Sequence, residues 1–477
     1  MNPLTLAITA FLPGTTVDAG EPAEPTGRLA IFEGYIGVLI VSFLVAVIAT
    51  PLMRRLAVAY GIIDRPNEAR KVHTVPIAYL GGVAVYLGIM GGIFYAILGV
   101  RFPDLIQWHA TEFQRPVSFY LPVPFSILLG MTVILLVGVI DDVTGISPRV
   151  KIGGQLFAAA ALAMDRVGVQ LAAGLLLPIA RTLGIPTQPN ALGIETLLLK
   201  IPLPMEIGGA GYIPIDVVYW VGTGIIAIAV IGLCNAANLI DGLDGLLSGT
   251  TAIAAIGLLV VALGLALADD GPRDAERIIL CMALLGACLG FLPHNFNPAT
   301  IFLGDAGSLL LGFTTCVIIL MMGDTGKTSL VAAGVIIFAL PIIDTSLAIV
   351  RRKMEGKPIS AADDQHLHHQ LKRALGVKGA VLALYGIAAT FATIGAAVTL
   401  IRARSVFLLA IILGAYVGVT AIKIARRRAV EAQAARHDAR VATGLAPTTP
   451  ATPTGEGARA AQPAVGAGPA TPGAANR

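Results

Sequence analysis

The sequence predicts an all-α polytopic membrane protein of about 11 transmembrane helices, each near the 20 residues that cross hydrocarbon. The N-terminus is expected outside, the C-terminus in the cytoplasm, and one short β-hairpin on the extracytoplasmic side. Three observations carry this. Of 477 residues, 56% are hydrophobic and only 13% charged, where soluble domains carry about 25% charged residues. Mean hydropathy is +0.81. The apolar runs alternate with polar loops whose basic residues fall on one side. Net charge is only +4, so its distribution matters more than its sum, and no nucleic-acid partner is expected. Cys234, Cys281, Cys288 and Cys316 all lie in apolar runs and form no Cys-x-x-Cys pair, so they read as buried free thiols.

Residues 1–33 are short, mixed and rich in Pro and Gly. The apolar stretch before Thr16 lacks a basic start and a cleavage site, so it is not read as a signal peptide. The expected spans are 34–53, 79–99, 124–140, 152–170, 217–234, 246–268, 276–292, 306–322, 328–350, 377–401 and 405–423. Residues 171–216 are broken by Pro and Gly; within them Leu197–Met205 and Gly211–Ile215 read as two strands of a surface hairpin. The segment 171–195 has no assigned role. The tail 425–477 opens with Arg426-Arg427-Arg428 and then becomes rich in Ala, Pro, Thr and Gly; with little to bury it reads as disordered. The transmembrane domain is thus 34–424, flanked by an extracytoplasmic segment 1–33 and a cytoplasmic tail 425–477.

The loops after the first, third, fifth, seventh and ninth spans share one side. Those loops and the start of the tail carry Arg54/Arg55, Arg70/Lys71, Arg149/Lys151, Arg351 to Lys353, Lys372/Arg373 and Arg426 to Arg428. The opposite loops hold scattered single charges. The positive-inside rule makes the basic side cytoplasmic.

That side also carries the polar motifs. Asn235-Ala-Ala-Asn238-Leu-Ile-Asp241-Gly-Leu-Asp244-Gly245 places two carboxamides and two carboxylates, spaced by threes, between two apolar runs. On a helical turn the four would share roughly one face, suited to a divalent cation, a nucleotide or a sugar; the plain alternative is a polar loop between membrane helices. Asp141-Asp142 ends the third span, and the pair could hold Mg²⁺, act as a base, or be two solvated helix-end acids. A soluble prenyl-synthase pattern would need a further Asp where Gly145 stands. Asp305 lies between glycines in Phe302-Leu-Gly-Asp305-Ala-Gly-Ser308, where it or Ser308 could cap a helix start or sit near a phosphate. Asp363-Asp364-Gln-His366-Leu-His368-His369 invites a zinc reading, but without cysteines its imidazoles suit hydrogen bonds to phosphate or sugar better, and the plain alternative is a solvated surface loop. Lys71 and His73 precede the second span, and Arg149 and Lys151 head the fourth; both pairs could neutralise phosphates or only orient helices. Asp344 lies inside the ninth span, where an acid is a functional candidate by default. Asp165-Arg166 reads as a local ion pair. Jointly, these loops hold the groups needed for Mg²⁺-assisted phosphoryl transfer at a membrane surface.

In this order, the Asp141-Asp-x-x-Gly, Asn235 to Gly245, Phe302 to Gly312 and Asp364 to Leu371 motifs resemble the polyprenyl-phosphate N-acetylhexosamine-1-phosphate transferases over roughly residues 34–424. The His366-Leu-His368-His369-x-Leu form, after Arg351-Arg352, resembles the branch that uses UDP-GlcNAc and undecaprenyl phosphate. The sister branch, phospho-N-acetylmuramoyl-pentapeptide transferase, usually has three adjacent histidines. Gln370 stands where the first branch often has Arg. The resemblance implies transfer of GlcNAc-1-phosphate to undecaprenyl phosphate, with release of UMP, at the cytoplasmic face of the cell membrane. It implies Mg²⁺, with Mn²⁺ as a substitute, on Asp305 and Asp241. Asp141 would position or deprotonate the lipid phosphate, with Asp142 in support. Asn235, Asn238, Asp241 and Asp244 would hold the nucleotide sugar; Lys71, His73 and Lys151 would contact phosphates; His366, His368 and His369 would bind diphosphate or sugar. Two readings of other classes stand beside it: a secondary transporter, since intramembrane acids also mark transport paths, and a non-catalytic membrane scaffold.

Overall fold

Apolar runs of this length become helices because a bilayer offers backbone groups no partner but each other. The computed structural model describes residues 27–64, 76–108, 121–190, 193–207, 210–268, 273–354, 356 and 366–399, with isolated positions beyond. Its helices are α1 Arg28–Ala59, α2 Gly81–Arg101, α3 Phe125–Thr144, α4 Pro148–Met164, α5 Gln170–Thr182, α6 Val217–Ile240, α7 Leu246–Leu267, α8 Asp274–Asn295, α9 Gly304–Met321, α10 Thr328–Ile337, α11 Ala339–Met354 and α12 Leu367–Val398. All belong to one unit, Met1–Ala421; a second unit, Ile422–Arg477, lies almost wholly outside the described residues. So do most of the eleventh expected span and the tail.

Among the described residues, eight helices are long and apolar enough to cross a membrane, or nine with the bent pair α10–α11 counted as one span. The chain is an integral membrane protein. α4 is a 17-residue helix, shorter than the expected 152–170. α1 starts at Arg28 rather than 34, with buried Ile31 and with Tyr35 packed edge-on to Trp108. The ninth span is not straight: α10 and α11 meet at an 80° bend. Pro341 explains it, since its ring has no N–H and collides with the carbonyl four residues back, and α10 ends at that residue, Ile337. The loop expected up to residue 376 is helical from Leu367, with the break at Gly376, whose φ is 71°.

α8 and α9 form the buried centre, each 89% buried across its most apolar stretch, against 28% for α1 and α6. The outward face of α1 carries exposed Ile40, Leu44, Ile48 and Leu52, an apolar stripe that suits lipid. Small residues let backbones meet. A Cβ on Gly82 of α2 would fall 2.2 Å from Gly307 N, and one on Gly138 of α3 would fall 2.3 Å from Ala306 Cα. These two glycines hold the start of α9 between α2 and α3. The strand pair β1 Ile63–Asp64 and β2 Ile77–Ala78 extends that clamp: Gly81 and Gly82 donate to the carbonyls of Phe302 and Leu303 at 3.0 and 2.9 Å, and Phe302 donates to Ala78 O at 2.8 Å.

At the other end of the bundle, residues 171–216 contain α5 and two antiparallel strand pairs. These are β3 Gln188–Pro189 with β4 Glu195–Thr196, and β5 Leu198–Ile207 with β6 Ala210–Asp216. The second pair occupies the stretch read as a hairpin. α5 departs from the irregular stretch expected there; it buries Leu171, Ala172, Ala173 and Ala180, a spacing that Pro178 obscures. Asp165-Arg166 is not an ion pair. Asp165 accepts from Ser126 N, while Arg166 reaches Asp216 at 3.8 Å. Charges scattered along the sequence also meet here, with Arg273 on Asp324 and Glu276 at 2.8 Å each and Arg277 paired with Asp274.

Asp216 caps α6. Its carboxylate accepts from Tyr219 N at 3.0 Å, from Asn190 Nδ2 at 3.1 Å and from Thr196 Oγ1. Burial alone would raise its pKa, but these hydrogen bonds and the Arg166 charge outweigh it and hold the group below the ordinary carboxylate value. The cap therefore stabilises the fold above that ordinary value and fades as pH falls below it. Asp216→Ala is expected to cost about 0.5–2 kcal/mol, read as a lower thermal midpoint in detergent at neutral pH. The gap from wild type should shrink as the buffer is taken to acid.

Candidate active site

The helix ends at α3/α4, α6/α7, α8/α9 and α11/α12 meet at one end of the bundle, and the polar motifs sit there. α9 is the organising element. Its first N–H groups have no intrahelical acceptor, and the sequence offers Asp305 and Ser308 as caps. The structure uses neither. Asp142, from the last turn of α3, accepts from Asp305 N at 2.7 Å and Ala306 N at 3.1 Å. A carboxylate at a helix N-terminus also gains from the helix dipole. Gly304 is required here: its φ is +70° and a Cβ would fall 2.4 Å from Asp142 Oδ2.

With its backbone fixed, Asp305 turns its side chain to two other helices. Its Oδ1 accepts from Asn238 Nδ2 at 2.8 Å, and Asn238 also donates to Ser308 Oγ at 2.9 Å. Its Oδ2 meets Lys151 Nζ from the first turn of α4. The same ammonium lies 2.5 Å from Asp141 Oδ2, while Asp141 Oδ1 accepts from Ile146 N at 2.8 Å. Lys151 thus stands between two carboxylates that would otherwise repel.

The Asn/Asp motif departs from the single face expected of it. α6 ends at Ile240, because the Asp-Gly pairs turn the chain, and Gly245 has a φ of +78°. Only Asn235 and Asn238 lie on the helix. Asn235 donates to Gln155 Oε1 at 3.0 Å. Asp244 points the other way, accepting from Asn297 Nδ2 at 2.8 Å and Ala299 N at 3.0 Å, so its visible work is to hold the α8–α9 loop. Asp241 makes no hydrogen bond or ion pair among the described residues. Burial and the Asp305, Asp142 and Asp244 carboxylates push its pKa up to about 8.

The histidines join the same end. Asp344 holds His366 Nδ1 at 2.9 Å, and His368 is tight against Gly242, where a Cβ would fall 2.4 Å from its Nε2. His369 packs 4.2 Å from His368, ring centre to ring centre. Lys71 and His73 lie outside the described residues, as do Asp363 and Asp364.

Three groups escape the sequence reading. Gln155 carries a polar tip in an apolar helix, one turn beyond Lys151. Ser308 is one turn beyond Asp305. Tyr79 stacks near Phe302; burial and the Asp64, Asp142 and Asp305 carboxylates raise its hydroxyl pKa. Spacing from a motif residue is the signal for the first two. Tyr79 has none in the sequence.

The family model for glycosyl transferase family 4 matches residues 124–323, which include Asp141, Lys151, Asp241 and Asp305 but stop short of Asp344 and the histidines. A Bacillus subtilis (strain 168) protein named "Probable undecaprenyl-phosphate N-acetylglucosaminyl 1-phosphate transferase" is 30% identical over 356 residues, 74% of this chain and 81% of that protein. The chain belongs to this family. Other relatives in glycosyl transferase family 4 include the decaprenyl-phosphate N-acetylglucosaminephosphotransferase of Mycolicibacterium smegmatis, 32% identical across 68% of this chain and 71% of its own length. The phospho-N-acetylmuramoyl-pentapeptide-transferase of Bacillus cytotoxicus is 28% identical across 69% and 87%.

For a divalent cation the donor chemistry fits. Asp241 is a carboxylate without a partner among the described residues, facing the Asp305 charge across the end of α6. Mg²⁺ takes one or two carboxylates and fills its shell with phosphate oxygens and water. Among the described residues, the only three-ligand grouping within 4.8 Å is Asp344, His366 and His368, whose imidazoles Mg²⁺ does not seek.

Two outcomes are expected. A cation landing on Asp241 must displace its proton, so Mn²⁺ affinity should rise on the order of tenfold per pH unit below about pH 8 and level off above it. Asp241→Asn should flatten that profile in calorimetric titrations. Asp142→Ala, which orphans two N–H groups, should lower thermal stability by about 1–2 kcal/mol and abolish activity, because Asp305 loses its backbone anchor.

Proposed function

We propose that the protein transfers GlcNAc-1-phosphate from UDP-GlcNAc to a polyprenyl phosphate, undecaprenyl phosphate by preference, giving polyprenyl-diphospho-GlcNAc and UMP. The observation that carries this reading is Lys151 bridging Asp141 and Asp305 beside the Asp142-capped start of α9. The names of the relatives supply the substrate class.

The reaction is a displacement at the sugar-bearing phosphorus of the diphosphate. A lipid phosphate oxygen forms the new P–O bond. The bond to the bridging oxygen breaks, and its electron pair leaves with UMP. A phosphate is already mostly deprotonated at neutral pH, with a second pKa near 6, so the work is alignment and charge neutralisation. Lys151 is placed to carry the attacking phosphate, with Asp141 orienting the ammonium. Asn235 and Asn238 present amides toward the nucleotide sugar. Asp305 and Asp241 would hold Mg²⁺ or Mn²⁺, which neutralises the diphosphate and the leaving UMP. Asp141 is engaged by Lys151 and by Ile146 N, which favours direct displacement over a covalent aspartyl intermediate.

The basic helix ends favour a cytoplasmic site in the plasma membrane, about 11 spans and an outside N-terminus. The transferase domain is then 34–424, with 1–33 and 425–477 as flanking segments. Lys71 and His73 belong to this reading as phosphate contacts. The 28% identity to a phospho-N-acetylmuramoyl-pentapeptide-transferase makes that larger sugar nucleotide the second substrate to try.

Purified protein given UDP-GlcNAc, undecaprenyl phosphate and Mg²⁺ should release UMP only with the lipid present. EDTA should stop release, and Asp305→Asn should cut it by about 10²-fold or more. Release with another UDP-sugar alone would change the substrate; folded protein releasing UMP from none would overturn the reading.

A further inference from the structure

A carboxylate buried in a membrane helix is costly unless it is paired. Asp344 is 2% exposed, and three groups converge on it. His366 Nδ1 lies 2.9 Å from Oδ2, Leu367 N donates to Oδ1 at 2.9 Å, and His368 Nδ1 stands 3.7 Å from Oδ2. A helix cap would need only the Leu367 contact. The further arrangement of two imidazoles is what calls for an explanation.

The His366 and His368 rings are stacked, 5.3 Å apart and 15° from parallel. His366 Nδ1 is hydrogen-bonded to that carboxylate, while His368 Nδ1 faces it at 3.7 Å without a hydrogen bond. An ionised carboxylate only accepts, so the His366 proton in that contact sits on Nδ1 and its tautomer is set. Nε2 lies on the far side of each ring. For His368 that side is the Asp241–Gly242 turn, where the ring fills the space a side chain on residue 242 would take. The bend at Pro341 carries Asp344 to this place; α10 and α11 in one straight line would not.

We propose that Asp344 is the positioning residue of the histidine pair: its buried carboxylate fixes the His366 ring through Nδ1 and, with the His366–His368 stack, holds His368 with its Nε2 edge at the Asp241–Gly242 turn, beside which the pair meets the diphosphate or sugar of the nucleotide substrate. This rests on the transferase reading above. It assigns Asp344 to the sugar-nucleotide half of the site, as distinct from the Lys151 half where the lipid phosphate docks. It also gives Gly242 a reason: only a residue without Cβ leaves His368 its place.

The test uses full-length protein in detergent, with UDP-GlcNAc and undecaprenyl phosphate varied separately and UDP-GlcNAc binding measured by calorimetry. Asp344→Asn should raise KM for UDP-GlcNAc roughly 10- to 100-fold, the effect of removing a carboxylate partner from a site histidine elsewhere. KM for the lipid should stay within about twofold. Adding His366→Asn to Asp344→Asn should cost little more, because both remove one unit. Gly242→Ala leaves Asp344 intact and displaces His368, so it should show the same selective KM change even where Asp344→Asn fails to fold. An equal loss for both substrates, additive single and double variants, or wild-type KM in Gly242→Ala would overturn the proposal. So would a stoichiometric transition metal in purified protein that Asp344→Asn loses, since the three groups would then be its ligands. Wild type that neither turns over nor binds UDP-GlcNAc sinks the transferase reading and this proposal together; active wild type with unaltered variants sinks the proposal alone.

Discussion

The Lys151 ammonium between Asp141 and Asp305 is the interaction on which this end of the molecule depends. Asp141, Asp142, Asp241 and Asp305 converge there from three chain segments. At separations of a few ångströms in a medium poorer than water, like charges repel by several kcal/mol. Each carboxylate that is held is held by a different device: Asp142 by two helix N–H groups, Asp141 by Ile146 N and Lys151, Asp305 by Lys151 and Asn238. Asp241 alone has no such partner among the described residues. A soluble protein would hydrate such a cluster. A membrane helix bundle must build its solvation from its own groups.

Building that solvation requires backbones to come closer than side chains allow. Gly82 and Gly138 bring α2 and α3 against the start of α9, Gly304 leaves room for the Asp142 carboxylate, and Gly242 leaves room for His368. The glycines are therefore part of the electrostatics. A methyl group at Gly304 would press on the Asp142 carboxylate, and one at Gly82 or Gly138 would push the start of α9 away from α2 or α3. The opposite end of the bundle works differently. There, among the described residues, Arg273, Arg277, Asp274, Glu276 and Asp324 pair among themselves.

Much of this is legible in the sequence. Long apolar runs fix the helices, because in lipid no other element satisfies the backbone. The motif residues then fall at helix ends on one side. What the sequence hides is the set of partners. Asp142 looks like a twin of Asp141, yet one caps α9 and the other holds Lys151, since adjacent residues point about 100° apart on a helix. Asn235, Asn238, Asp241 and Asp244 look like one face, but helix geometry stops at Ile240. The bend at Pro341 could have been expected from the ring's lost N–H. The helix α5 could not, because Pro178 and flanking glycines mask its period. Tyr79 carries no pattern at all; only the clamp of β2 against residues 301–303 brings it near Asp142.

Among the described residues, Asp141, Asp142, Asp241 and Asp305 gather around the Lys151 ammonium. A site meant to hold a diphosphate alone would carry the opposite sign, because anions bind cations and helix N-termini. Here the N-terminus of α9 is already taken by Asp142. Carboxylates beside Lys151 make sense when a diphosphate arrives with a divalent ion, whose shell takes carboxylate as well as phosphate oxygens. Under the proposed function, a substrate phosphate would compete with Asp305 for the Lys151 ammonium while Asp141 keeps it oriented, and part of the binding energy would go to that exchange.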